Sequence, residues 1–198
     1  MSKNKIDIIT EVIRSRRSIH ANEFIKPKNG FDKELLTEIL TNAIWAPNHK
    51  MTEPWKFLVI KDELLKDLGN FMSDYYKDYY RERFGEEDGL KKCNSLKEYP
   101  LNSFCVLGIV LTRDEEERIP EWEEIAAVSS AVQNIALTCK AYDLGSYWST
   151  SKGAVEYLNK FNLKENETSL GLVYIGYCDW TKKRNAKRSP LDEKVVWL

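Results

Sequence analysis

Histidine and paired cysteine are scarce in this chain, charge of one sign is missing, and each shortage removes a class of chemistry. Only two histidines occur in 198 residues, with no H-x-x-x-H pattern, so a zinc site lacks ligands. Cys93, Cys105, Cys139 and Cys178 stand far apart with no C-x-x-C pair. That spacing fits a reducing compartment better than a disulfide framework. Two of them lie in apolar runs and read as small core residues, outside the electropositive setting a reactive thiol needs. There is no Walker loop, no G-x-G-x-x-G after a strand and no G-x-S-x-G elbow, so the usual nucleotide folds and serine nucleophiles are absent. Lysine and arginine total 30 against 31 acidic residues, a net charge of −1. No global field draws the protein to nucleic acid or membrane, and any anion site must be local. No window reaches transmembrane length and the N-terminus lacks an apolar leader core, so a cytoplasmic protein is expected. Linkers and repeats are also missing, and one domain over 1–198 is expected, long enough for its own core.

What is present centres on Trp45-Ala46-Pro47-Asn48-His49-Lys50-Met51-Thr52-Glu53-Pro54-Trp55-Lys56-Phe57. A helical pattern enters this stretch and an apolar strand leaves it. Pro47 is expected to stop the helix and Pro54 to extend the chain before Trp55. A polar loop held between rigid elements suits ligand binding. The same residues also read as core tryptophans with solvated neighbours.

Periodicity predicts the rest. Ile6, Ile9, Val12 and Ile13 mark an amphipathic helix over 6–15. Asp32 is the expected N-cap of a helix buried through Leu35, Leu36, Ile39, Leu40 and Ala43. One helical region is expected over 62–84, tyrosine-rich on one flank, followed by a surface loop at 85–89 and an ambiguous stretch at 90–99. The run 104–112 reads as a strand buried on both faces. A small-residue helix over 121–142 should be packed all round, at the domain centre or a subunit interface, with Gly145 as its C′ residue. Residues 146–150 read as a strand or turn, 154–161 as a short helix and 170–177 as a strand. Helices and strands alternate, which indicates a two- or three-layer arrangement around one mixed sheet. A basic run, Lys182 to Arg188, precedes the apolar end Val195-Val196-Trp197-Leu198 and suggests a docked terminus.

For chemistry, Arg16-Arg17-Ser18 offers two guanidinium forks and a hydroxyl, which suit a phosphate. Cations at a solvated helix end would look the same. Lys187-Arg188 is a second candidate. Trp45, Trp55 and Trp148 could flank a flat heterocycle or fill core. A bound cofactor supplying the electron chemistry would explain the missing nucleophiles.

Taken in order, Arg16-Arg17-Ser18, the segment Ala46-Pro47-Asn48-His49-Lys50 through Glu53-Pro54-Trp55-Lys56-Phe57, the small-residue helix, Gly145-Ser146-Tyr147-Trp148-Ser149, Val173-Tyr174-Ile175-Gly176-Tyr177 and Lys187-Arg188-Ser189-Pro190-Leu191 resemble the nitroreductase family of FMN-dependent oxidoreductases, in its compact bacterial subgroup. The resemblance implies an α+β homodimer, its sheet flanked by helices, with FMN at the subunit interface. It implies that Arg16, Arg17 and Ser18 hold the phosphate and ribityl end, and that Lys187 or Arg188 reaches the phosphate. The other subunit's proline loop would cover the isoalloxazine through Trp45, Asn48 and His49. Trp148, Ser149 and Thr150 would lie near the ring. The tail, about 179–198, would pack on the partner. NADH or NADPH would give a hydride to flavin N5, and a nitroaromatic, quinone or enone would take the electrons. No side chain need be a nucleophile. A non-catalytic flavin carrier or sensor is the alternative. Many members carry serine after Ala-Pro and glutamine before Pro-Trp, where this chain has Asn48 and Glu53. Members also often place glycines or an arginine in the segment held here by Ser149-Thr150-Ser151. Both departures bear on ring contacts and substrate preference.

Overall fold

The structure, a computed structural model, describes residues 4–27, 31–182 and 184–198. Lys183 of the basic run lies outside the described residues. The elements in order are α1 (Lys5–Ser15), β1 (Phe24–Ile25), α2 (Lys33–Ala43), β2 (Trp55–Ile60), α3 (Glu63–Tyr75), α4 (Lys77–Phe84), α5 (Glu86–Leu101), β3 (Cys105–Thr112), α6 (Glu121–Ala141), β4 (Leu144–Ser149), α7 (Lys152–Tyr157) and β5 (Glu167–Cys178), with short 3-10 turns between some of them.

The strands form one sheet in the order β1-β5-β3-β2, with β4 also paired to β5. Every strand pair is antiparallel. The parallel share of the expected mixed sheet is a bridge between Ser18 and Ser146. Side chains on a strand point alternately to the two faces, and β3 shows this directly. Cys105, Leu107, Ile109 and Leu111 join one core with α2 and α6, while Val106 and Val110 join a second core with α3 and α7. The result is three layers, helix on sheet on helix, with β3 buried on both faces as its unbroken apolar run predicts. Trp55 pairs with Leu111 and is buried, so it belongs to the core. The cysteines are free thiols, three of them buried. Among the described residues, no helix is long and apolar enough to cross a membrane.

Several boundaries differ from expectation. Asp32 does cap α2, its side chain accepting from the Leu35 N–H at 2.9 Å, but the helix ends at Ala43, four residues before Pro47. The region 62–84 is two helices, broken at Tyr76. Residues 86–101 are a helix, not a loop and an ambiguous stretch. Gly85, at φ +82, sets its start, and Glu86, Glu87 and Asp88 in the first turn favour the positive end of the helix dipole. Gly145 is not a helix terminator. Tyr142 caps α6 and Asp143 takes the left-handed conformation, while Gly145 lies inside β4. A Cβ there would stand 2.9 Å from Ile19 Cβ. Within the single chain, helix α6 is buried along one face while Trp122 and Ile125 are exposed on the other, so it is not enclosed at the domain centre. Helix α1 buries no residue at all, and Ile6, Ile9 and Ile13 face outward.

Candidate functional site

Arg16 is the C-cap of α1, and the chain then turns onto the sheet. Ser18 bridges Ser146 in parallel, and the Ile19 N–H donates to the Ser146 carbonyl at 3.1 Å. This fixes the two arginines beside the start of β4. Arg17 Nη1 donates to the carbonyls of Arg14 at 2.6 Å and Arg16 at 2.8 Å, while its Nε is buried without a partner. Burial lowers the pKa of the Arg16 guanidinium, and the nearby charges of Arg17 and Arg188 lower it further. Like charges brought together and partly desolvated disfavour their own ionised forms. An anion among them would reverse that. Arg188, in the C-terminal segment, is near enough to act on Arg16 electrostatically, and both it and the adjacent Lys187 are exposed. Both arginines remain partly accessible, and Ser18 is exposed.

Strand β4 carries the second group of residues away from this corner. Ser146 and Ser149 are three residues apart, ~10 Å at the usual rise of a strand. Trp148 is half-buried against the core shared with α2 and α6, and its Nε1–H donates to the Leu170 carbonyl at 2.8 Å. Ser149 Oγ is 3.4 Å from Ser151 Oγ, and Thr150 is exposed.

The proline loop is the third group. Trp45 is 82% exposed. Asn48 Oδ1 accepts from the Glu53 N–H at 3.1 Å and closes the loop on itself. Lys50, Met51 and Glu53 have positive φ, a strained path for residues other than glycine. Two tethers hold that path: Lys50 Nζ donates to the Arg118 carbonyl at 3.1 Å, and His49 Nδ1 meets Glu123 Oε2 at 2.7 Å. With Nδ1 engaged by a carboxylate, the His49 ring is oriented and Nε2 is left for other contacts. Glu123 carried no signal in the sequence beyond an acidic residue in the first turn of α6. Among the described residues no hydrogen bond or ring contact joins this loop to Arg16–Ser18. The structure thus places Arg16 beside Arg17 with Arg188 within electrostatic reach, links Ser18 to the strand of Trp148 and Ser149, and shows no hydrogen bond or ring contact from Trp45, Asn48 or His49 to that corner among the described residues.

A family model described as the nitroreductase family matches residues 13–177. YfhC of Bacillus subtilis, provisionally named an NAD(P)H nitroreductase, is 29% identical over 193 residues, covering 96% of this chain and 93% of its own. A nitroreductase-like family protein from Bacillus cereus superposes with a TM-score of 0.78 at 24% identity, covering 100% of this chain and 98% of that one. A protein of Desulfovibrio desulfuricans, provisionally a nitroreductase and solved in complex with FMN, gives a TM-score of 0.69 at 20% identity, with coverage of 100% and 98%. The likeness to these two structures is one of fold.

Proposed function

The chain belongs to the nitroreductase family, and from that premise we propose that it is an FMN-dependent oxidoreductase that takes electrons from NAD(P)H and passes them to a small acceptor such as a nitroaromatic, quinone or enone. The observation that carries this reading is the convergence of Arg16, Arg17 and Arg188, with Arg17 Nε buried and unpaired. That donor set fits a phosphate monoester, whose oxygens can accept from several guanidinium N–H groups at once. The provisional name of the B. subtilis relative and the FMN complex of the D. desulfuricans protein support the same cofactor and reductant.

Arg16, Arg17, Ser18 and Arg188 would hold the phosphate, with Lys187 adding positive charge nearby. Trp148 would supply a fixed wall for the ring rather than a hydrogen bond, because its N–H is taken by Leu170. Ser149 and Thr150 would border the ring edge. The flavin, when bound, supplies the two-electron relay between nicotinamide and acceptor. The protein orients it, excludes water and holds charge near it.

We further infer that the site is completed by a second copy of the chain. Trp45 and the outward stripe of α1, together with Trp122 and Trp197, expose more apolar side chain than a stable monomer usually shows. In that pairing Trp45, Asn48 and His49 of one copy would close over the ring held by the other, and the tail from about 179 to 198 would lie on its neighbour.

The test is direct. The purified protein should be yellow, and added FMN should raise its melting temperature, since a ligand at 100-fold over its Kd stabilises by about 2.7 kcal/mol. NADH or NADPH should then be consumed steadily with a quinone or nitroaromatic present. A protein that neither holds nor responds to FMN refutes the reading. One that binds FMN but turns over at background is a flavin carrier or sensor.

A further inference from the structure

The chain leaving β5 is fastened at two points before it reaches Arg188. Trp180 lies two residues past the end of β5. Its Nε1–H donates to the Asp143 carbonyl at 2.8 Å, just past the C-cap of α6. Lys140 Nζ stands 3.8 Å from the centre of the Trp180 ring and also reaches Asp143 Oδ1 at 3.1 Å. Arg184 Cζ lies 5.5 Å from the same ring centre. A cation within about 6 Å of an indole face is attracted by its quadrupole. Arg184 Nη1 donates to the Asp179 carbonyl at 2.9 Å, and Nη2 to Glu23 Oε2 at 3.0 Å. The Arg184 side chain is only 14% exposed and its Nε is buried without a partner, so the Glu23 carboxylate is what compensates a largely desolvated charge. Glu23 closes the 3-10 turn Ala21–Glu23, shortly after Ser18, and the next residue, Phe24, pairs with Cys178 on β5. The root of the tail and the segment leaving Arg16–Ser18 are thus riveted side by side. Arg188 is four residues beyond Arg184 and ten beyond Cys178. An extended chain spans about 3.3–3.6 Å per residue, so the clamp confines Arg188 to within about 14 Å of Arg184 instead of about 35 Å of Cys178.

We propose that Glu23 and Arg184 are positioning residues for the cofactor: their clamp on Trp180 holds the root of the tail beside the Arg16–Ser18 segment and so delivers Arg188 to the FMN phosphate. The inference rests on the FMN reading above, which assigns the phosphate to Arg16, Arg17 and Arg188. Its physical basis is tether length. The local concentration of a tethered group falls as about the −3/2 power of its tether, so lengthening the free tether from four residues towards ten costs about two- to fourfold. Trp180 and Arg184 stay on their own subunit, and the chain beyond Arg184 is the part left to lie on a neighbouring copy.

The experiment uses the full chain and measures Kd by flavin fluorescence for FMN and for riboflavin, which carries the same ring without the phosphate. Glu23→Gln keeps the side-chain shape and removes the charge paired with Arg184. Loss of a carboxylate should, by simple electrostatics, tighten binding of a phosphate dianion; the clamp predicts the opposite sign. Glu23→Gln and Arg184→Met should each weaken FMN about two- to fourfold and leave riboflavin unchanged. In an Arg188→Gln background neither should add a further loss, because both act through Arg188. FMN held as tightly or more tightly by Glu23→Gln, an equal loss for riboflavin, or an undiminished loss in the Arg188→Gln background overturns the inference while the FMN reading stands. A wild-type protein that takes up no FMN, or holds it no better than riboflavin, removes the premise and the inference with it.

Discussion

The two ends of the proposed site are built on opposite plans. At the arginine end the chain gathers positive charge: Arg16 is disfavoured by its surroundings, and Arg17, bonded through Nη1 to two carbonyls, leaves its buried Nε unpaired. At the tryptophan and proline-loop end several polar side chains are already engaged within the chain. Asn48 bonds Glu53, His49 bonds Glu123 and Trp148 bonds Leu170. The first plan suits grip and the second suits shape. Affinity for the cofactor should therefore come from one end, and ring orientation and acceptor choice from the other.

The strongest way to break this contrast is Arg16→Ala with Arg17→Ala. Hydrogen bonds to charged groups contribute about 1.5–3 kcal/mol each, so FMN affinity should fall by roughly 10²- to 10⁴-fold. Equilibrium dialysis would measure it, and a full flavin complement in the double variant would end the phosphate assignment. Arg188→Gln removes one guanidinium at the C-terminal side of the same cluster. Its effect should be about tenfold, and it should shrink at high salt because the group is exposed. Glu123→Gln tests the other end. Exposed ion pairs are worth about 0.2–1 kcal/mol, so FMN affinity and melting temperature should hardly move, while kcat/KM for an acceptor changes as His49 loses its orientation. A large loss of FMN in this variant would erase the distinction between grip and shape.

The smallest effect concerns the scaffold beneath the loop. Glu167 on β5 accepts from Lys56 Nζ at 2.8 Å, just past Trp55. That hydrogen bond, with the Lys164 N–H and the nearby lysine charges, holds the Glu167 carboxyl below its ordinary value of 4.5 despite opposing burial. A folded-state pKa below the unfolded one means a contribution present in full above pH 4.5 and lost as pH falls through the lowered value. Urea midpoints measured from about pH 6 down to pH 3 should fall, and less steeply in Lys56→Met.

Much of the fold was legible because it depends on local rules. Asp32 capped where a helix pattern began, and the apolar run of β3 announced its place between two helical layers. The misreadings arose where distant contacts decide. Nothing local breaks the helix at Tyr76, since Phe71, Met72, Tyr75 and Tyr79 continue the apolar pattern; the break coincides with a bond to Gly153. Gly85 and Gly89 suggested a loop. Gly85 sets the start of α5, and Gly89 lets α5 approach the Tyr80 carbonyl, where a Cβ would stand at 2.9 Å. In the site, Arg16-Arg17-Ser18 could be found because charge concentrated at a helix end is visible in sequence. The approach of Arg188 to the phosphate end entered only through the family resemblance, and the pairing of Glu123 with His49 depends on tertiary placement that no local pattern marks.

Helix α1 carries a consequence for how the molecule assembles. It presents four isoleucines to solvent and ends directly at Arg16, so whatever covers its apolar stripe also steadies the cationic corner. Under the proposed pairing, association and flavin loading are thermodynamically linked and the linkage is reciprocal. Dilution should shed cofactor, and saturating flavin should hold the two copies together at concentrations where the apoprotein falls apart.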